Sequence, residues 1–149
     1  MLRRRLLWRA ICGCILPFAF ALSADALQLI SEQEASLPDD NTQTRGISRG
    51  PKVVLINPAP TAGLVRSPFG LKIRFESFAG AKIDTDSVVI TYKKKPAIDL
   101  TQRAKSFVHP DGIELERTEV PAGEHRIRVD VKDSEGRAGW TEFTLKVAD

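Results

Sequence analysis

Reactive side chains are scarce in this 149-residue chain, which has two cysteines, two histidines, one methionine and one tyrosine. Cys12 and Cys14 both lie close to the N-terminus, so a chain that loses its leader has no disulfide, no thiolate nucleophile and no cysteine metal site. His109 and His125 stand 16 positions apart, which fits no zinc spacing. Neither has a serine or acid context that suggests a nucleophile turn such as G-x-S-x-G. They read as ordinary surface or rim histidines, and no catalytic residue, cofactor or metal is expected. The chain also lacks any stretch of ~20 uninterrupted apolar residues, the length a membrane-spanning helix needs. From residue 53 onward it lacks helical apolar stripes of ten residues or more.

The N-terminus supplies the first positive signal. "MLRRRLLWRA" carries four arginines and no acid, "ICGCILPFAFAL" is apolar, and Ala24-Asp25-Ala26 places small residues where a signal peptidase reads. This order predicts an export signal over residues 1–26, cleaved after Ala26, and a periplasmic or secreted mature protein. Pro17 and Arg9 interrupt the run that a span would need. Arg3-Arg4-Arg5-Leu6-Leu7 loosely fits a twin-arginine signal, so the export route stays open between that and the general one. Ile11-Cys12-Gly13-Cys14 resembles a lipoprotein box, but the main apolar run follows Cys14, which favours a soluble form.

The formal net charge of +3 belongs to this leader, which holds four of the 22 basic residues and one of the 19 acidic ones. The remaining 18 of each sign cancel. Overall charge thus gives no support to a nucleic-acid or anionic-membrane partner. With no cysteine left, the mature chain must hold itself together by burial, for which ~95 residues suffice.

Residues 27–52 show few large apolar side chains and no alternation. Ser31 with Glu34 fits a capping box and predicts a short helix over 31–37, stopped by Pro38, with a disordered tail as the competing reading. Beyond Pro38 a flexible or extended linker is expected. From Val53 the apolar period becomes two, as in half-buried strands. Phe69, Leu71, Ile73 and Phe75 share one face of "FGLKIRF"; Val88, Ile90 and Tyr92 share one of "SVVITYKKK". Ile113 and Leu115 alternate with Glu114 and Glu116. Ile127, Val129 and Val131 in "HRIRVDVK", and Phe143, Leu145 and Val147 in "WTEFTLKV", follow the same rule. Residues 96–111 are ambiguous, with two further short strands around a loop suggested by Ile98, Leu100, Phe107 and Val108. An all-β antiparallel sandwich of about seven strands is predicted over residues 53–149.

Two stretches carry a resemblance. "INPAPTAGLVRSPFGLKIRFES", followed by the Ile83-Asp84-x-x-Ser87-Val88 turn, resembles the opening of bacterial immunoglobulin-like domains. "VPAGEHRIRVDVKDSEGRAGWTEFTLKV" is similar to their closing half, with its Pro-x-Gly turn and Asp-x-x-Gly hairpin. The resemblance spans residues 53–147 and implies an immunoglobulin-like sandwich, a fold that hosts many roles. The chain departs from antibody-type domains in lacking the cysteine pair and a tryptophan on the third strand. Periplasmic copper-resistance sandwiches are similar only around the proline-rich turn after the first strand, and Leu27-Gln28-Leu29 offers them no histidine.

Candidate binding residues remain few. Asp133 and Glu135 before Gly136 suggest a calcium loop, but Val131 stands at its first ligand position and favours a plain hairpin. Lys93, Lys94 and Lys95, before Pro96, read either as a solvated strand end that deters edge pairing or as a contact for an anionic envelope component. Trp140 shares parity with Glu142, Thr144 and Lys146. It is either exposed for a sugar or peptide, or covered by a bulge near Gly139 or by arginine stems. These observations predict an exported, non-enzymatic binding or adaptor module. It would present loops or an edge strand to a protein or glycan of the cell envelope; the alternative is a periplasmic copper carrier.

Overall fold

The structure, a computed structural model, describes residues 25–43, 46 and 48–149. The export signal read over 1–26, both cysteines included, lies outside the described residues except for Asp25 and Ala26. In chain order the elements are β1 (Leu27–Gln28), α1 (Glu32–Ala35), β2 (Lys52–Asn57), β3 (Val65–Arg66), β4 (Phe69–Glu76) and β5 (Ile83–Tyr92). There follow β6 (Ile98–Asp99), α2 (Thr101–Ala104), a 3₁₀ turn (Lys105–Phe107), β7 (Val108–His109), β8 (Gly112–Glu119), β9 (Gly123–Asp133) and β10 (Ala138–Ala148).

The strands form two five-stranded sheets. The first has the order β1-β8-β4-β2, with β7 also on β8; the second runs β3-β10-β9-β5-β6. Their inner faces hold the alternating residues read from the sequence: Leu71, Ile73, Ile113 and Leu115 from the first sheet, Ile90 and Val129 from the second. The period-two pattern therefore positions the core, because alternate side chains of each strand leave the sheet on opposite faces.

The number and direction of strands differ from expectation. Ten strands are present rather than about seven, and two pairs are parallel: β1 with β8 and β3 with β10. Both extra parallel strands are two residues long and join a sheet at its margin, too short to leave a periodic signal. The ambiguous stretch does contain two short strands, β6 and β7, but the segment between them is helical rather than a loop. Leu100 and Ala104 point inward from that segment and are fully buried. In β8 the inward phase slips after Leu115, and Thr118 becomes the next inward residue before the strand ends. The β4–β8 register shifts between Phe69 and Leu71, as a bulge requires.

Residues 27–40 are built into the fold, and residues 48–52 rejoin it. Leu27 and Gln28 pair with Thr118 and Glu119, and Leu29 and Ile30 join the core. The capping box forms as read: the Ser31 amide donates to Glu34 Oε2 at 2.9 Å and the Glu34 amide to Ser31 Oγ at 3.3 Å. Glu34 also receives both guanidinium nitrogens of Arg103, at 2.6 and 2.8 Å, while Arg103 donates to the Leu29 carbonyl at 2.7 Å. The Arg103 bond holds the Glu34 pKa down at about 2 against the opposing effect of burial. The chain then passes the end of β5, where the Lys95 amide donates to the Pro38 carbonyl at 2.9 Å. At the opposite end of the second sheet the Gly50 amide donates to the Ala138 carbonyl at 3.1 Å, and β2 begins. Gly139 permits that crossing: a Cβ there would lie 1.8 Å from the Pro51 carbonyl oxygen. The described parts of the extension thus run from the margin of the first sheet to one end of the second, and rejoin the fold at the other end of that sheet.

Candidate functional site

The three lysines of the "KKKP" stretch do not form one patch. Lys94 continues the inward phase of Val88, Ile90 and Tyr92, and it is only 5% exposed. Its ammonium donates to the carbonyls of Ala35 and Leu37, at 2.8 and 2.9 Å, and lies 2.6 Å from Asp39 Oδ1. All three ammonium donors are therefore used, and the C-terminal carbonyls of α1 are capped by a cation. Burial by itself would lower its pKa; Asp39 and Tyr92 together outweigh that and raise it. Lys93 donates to Asp40 Oδ2 at 2.7 Å, a bond that lowers the Asp40 pKa. Of the three, only Lys95 is exposed with no partner for its side chain among the described residues.

Trp140 stands on the outer face of the second sheet, in one row with Val89 and Asp130. The β9–β10 ladder runs without a bulge past Gly139, so the indole stays on that face. It is half-buried because the Arg128 guanidinium lies 4.6 Å from its ring centre. Arg128 in turn donates to both Asp130 oxygens, at 2.6 and 2.8 Å. Arginine coverage, one of the alternatives read from the sequence, is the arrangement found. Trp140 and the lysines lie on the same sheet, but their charged neighbours already have partners.

His125 is a correction to the rim assignment. β9 starts two residues before it, which makes it an inward residue in phase with Ile127, 2% exposed. Its Nε2 lies 2.8 Å from the Pro121 carbonyl, which only accepts, so Nε2 carries the proton. Nδ1 then accepts from the Tyr92 hydroxyl at 2.8 Å. Burial pushes its pKa down, partly offset by the Pro121 bond. Both ring nitrogens are occupied, which suits a structural role and no proton transfer to a ligand. His109 is exposed on β7, opposite Gly112.

The acidic stretch before Gly136 is a hairpin. Asp133, 3% exposed, accepts from the amides of Glu135 and Arg137 at 3.0 and 2.9 Å and from Arg137 Nε at 2.8 Å. Burial alone would raise its pKa, and these bonds outweigh it and hold the group lowered. Gly136 takes φ 74° to close the turn. Among the described residues no group of three or more His, Cys, Asp or Glu side chains is placed to hold a metal.

One feature of the first sheet was only partly legible beforehand. A sheet margin exposes unpaired amides and carbonyls that can accept another strand. The marginal strands β1, β3, β6 and β7 are only two residues long, and among the described residues no second strand pairs with β5 ahead of Thr91 or with β10 ahead of Val147. β2 is six residues long and pairs on one side only, with β4, from Lys52 opposite Glu76 to Asn57 opposite Lys72. Val53 points into the core, so Lys52 and Val54 point outward by alternation, while the register shift between Leu55 and Asn57 interrupts the count at Ile56. The adjoining outer face bears two hollows, of about 470 and 400 Å³, which share His109 and Glu114. Its position was predictable from the leading place of "VVLI" in the chain; its lack of a second neighbour was not, because pairing partners are distant in sequence. No family model, no curated protein and no solved structure matches the chain.

Proposed function

We propose that the chain is an exported, non-catalytic binding module of the cell envelope, an immunoglobulin-like sandwich that takes an extended segment of a partner protein as an added strand on β2. The topology supports the first half of this reading. β2, β4, β8 and β7 share one sheet and β5, β9 and β10 the other, the division of seven strands found in immunoglobulin-type sandwiches. The strands β1, β3 and β6 are additions to that plan. The leader sequence supports export, and the two histidines offer no catalytic pair.

The observation that carries the binding mode is that β2, six residues long, pairs with β4 alone and is open along its whole length among the described residues, whereas β5 and β10 are each joined at one end by a short second partner. Strand addition takes its affinity from main-chain hydrogen bonds and its specificity from alternate side chains. A glycan has no such backbone, so the partner is a protein. The test uses Val54→Pro and Leu55→Pro in the exported chain. Neighbouring amides of an edge strand point to opposite sides, so one of the two removes an outward donor and leaves the β4 ladder whole. Capture of an envelope protein by the wild type, lost in the variant that keeps wild-type thermal stability, is the expected result. Equal capture by both variants sinks the proposal.

A further inference from the structure

The charges beside the open strand bear on what kind of segment it accepts. On the outer face of β2 and β4 there are three cations: Lys52, Lys72 and Arg74. Lys52 Nζ is 3.7 Å from Glu76 Oε2, and Lys72 Nζ donates to Glu114 Oε1 at 2.9 Å. Arg74 is exposed and has no hydrogen bond or ion pair among the described residues. Its row explains why. The residue level with it on β2 is Val54, and the one on β8 is Gly112, so neither neighbour offers an acceptor side chain.

The same row leads to the open margin. A strand added to β2 would lie two strand spacings from β4, about 9.6 Å between backbones. An arginine and an acidic side chain together span that distance over the small isopropyl group of Val54. On any antiparallel or parallel addition, residues level with Val54 on the outer face keep the outward phase.

We propose that β2 takes up an extended acidic segment, one with an Asp or Glu at the outward position level with Val54, where it pairs with Arg74. The inference rests on the reading of β2 as a strand acceptor. It disfavours a second copy of this chain as occupant. Self-pairing of β2 brings only residues of "KVVLIN" level with Val54, and none of these is acidic. A like charge set near Arg74 is destabilising.

The test is a set of eight-residue Thr/Val peptides that differ only at one central outward position, which is Glu, Gln or Lys. Binding to the wild type and to Arg74→Glu is followed by fluorescence anisotropy. On the wild type the Glu peptide is expected to bind roughly fivefold tighter than the Lys peptide, the size of an exposed cross-strand charge effect. Arg74→Glu is expected to invert that order, Arg74→Gln to flatten it, and ~1 M salt to erase it. If Glu and Lys peptides bind the wild type equally while the proline variants of β2 lose both, strand addition stands and the acidic preference is overturned. If no peptide binds, or the proline variants bind all of them unchanged, both are overturned.

Discussion

The outer faces of both sheets carry charge, but the second meets the molecule's own N-terminal extension at Lys93 and Arg126, whereas the first ends in the open strand β2. On the second sheet Lys93 pairs with Asp40, which comes from the extension, and Arg128 with Asp130 and Trp140. Arg126 Nε lies 3.6 Å from Glu142 Oε1 and its guanidinium reaches the Asp40 carbonyl at 3.5 Å. On the first sheet Arg74, beside β2, has no hydrogen bond or ion pair among the described residues. Surface composition therefore does not tell which charges are free; the neighbours brought in by tertiary contacts do.

The comparison breaks most severely where the extension enters the core. Leu29→Ala removes a fully buried side chain of the core, and a loss of about 3 kcal/mol in guanidinium unfolding is expected. Val54→Ala on the open strand, only half-buried, should cost less than about 1 kcal/mol in the same measurement. Equal losses at the two positions would show that the extension and the open margin are not energetically distinct.

A smaller effect is expected at the ammonium that holds the end of α1. Lys94→Met keeps the stem and removes the donors to Ala35, Leu37 and Asp39, leaving two carbonyls to seek water. A loss of about 2 kcal/mol is expected. Hydrogen exchange should quicken over residues 30–40 and remain unchanged over β2. Faster exchange over β2 as well would mean that the two regions unfold together.

The most gradual effect comes from pH. Burial lowers the pKa of folded His125, so the unfolded chain takes up the proton first as pH falls. The contribution of the neutral, doubly bonded ring is complete above the unfolded value near 6.5 and declines as pH drops below it. Glu34 acts at lower pH with the same sign. Its folded pKa of about 2 lies below the ordinary glutamate value, so the extension loosens as pH falls from about 4.5 toward 2. Thermal melts of wild type and His125→Gln between pH 7 and 5 check the first step. The variant should be less stable at pH 7 and less sensitive to acid; a parallel decline of both removes His125 as the cause.

The inward residues of β4, β5, β9 and β10 were legible because a strand repeats every two residues whatever it packs against. Extending that count by one step would have exposed Lys94 as an inward residue, since it follows Val88, Ile90 and Tyr92 in phase. The run of three lysines hid this, because a charge cluster reads as a solvated end. His125 was hidden differently: it opens the alternating run "HRIRVDVK", and its inward place depends on β9 beginning two residues earlier, at Gly123. The capping box at Ser31 was legible because both of its members lie within one turn. The coverage of Trp140 was foreseen only as one of several outcomes, because the nearest arginine comes from the neighbouring strand.

By itself the sequence determined the elements whose causes are local. These are the alternating strands, the capped turn of helix and the hairpin at Gly136. Each depends on residues within a few positions of one another, where dihedral preference and phase are decisive. The tertiary structure alone decided the docking of the extension, the burial of Lys94 among carbonyls, and the isolation of Arg74 beside an unpaired strand. Those outcomes depend on which distant segments become neighbours, and burial and pairing energies are fixed only when the two sheets close on each other.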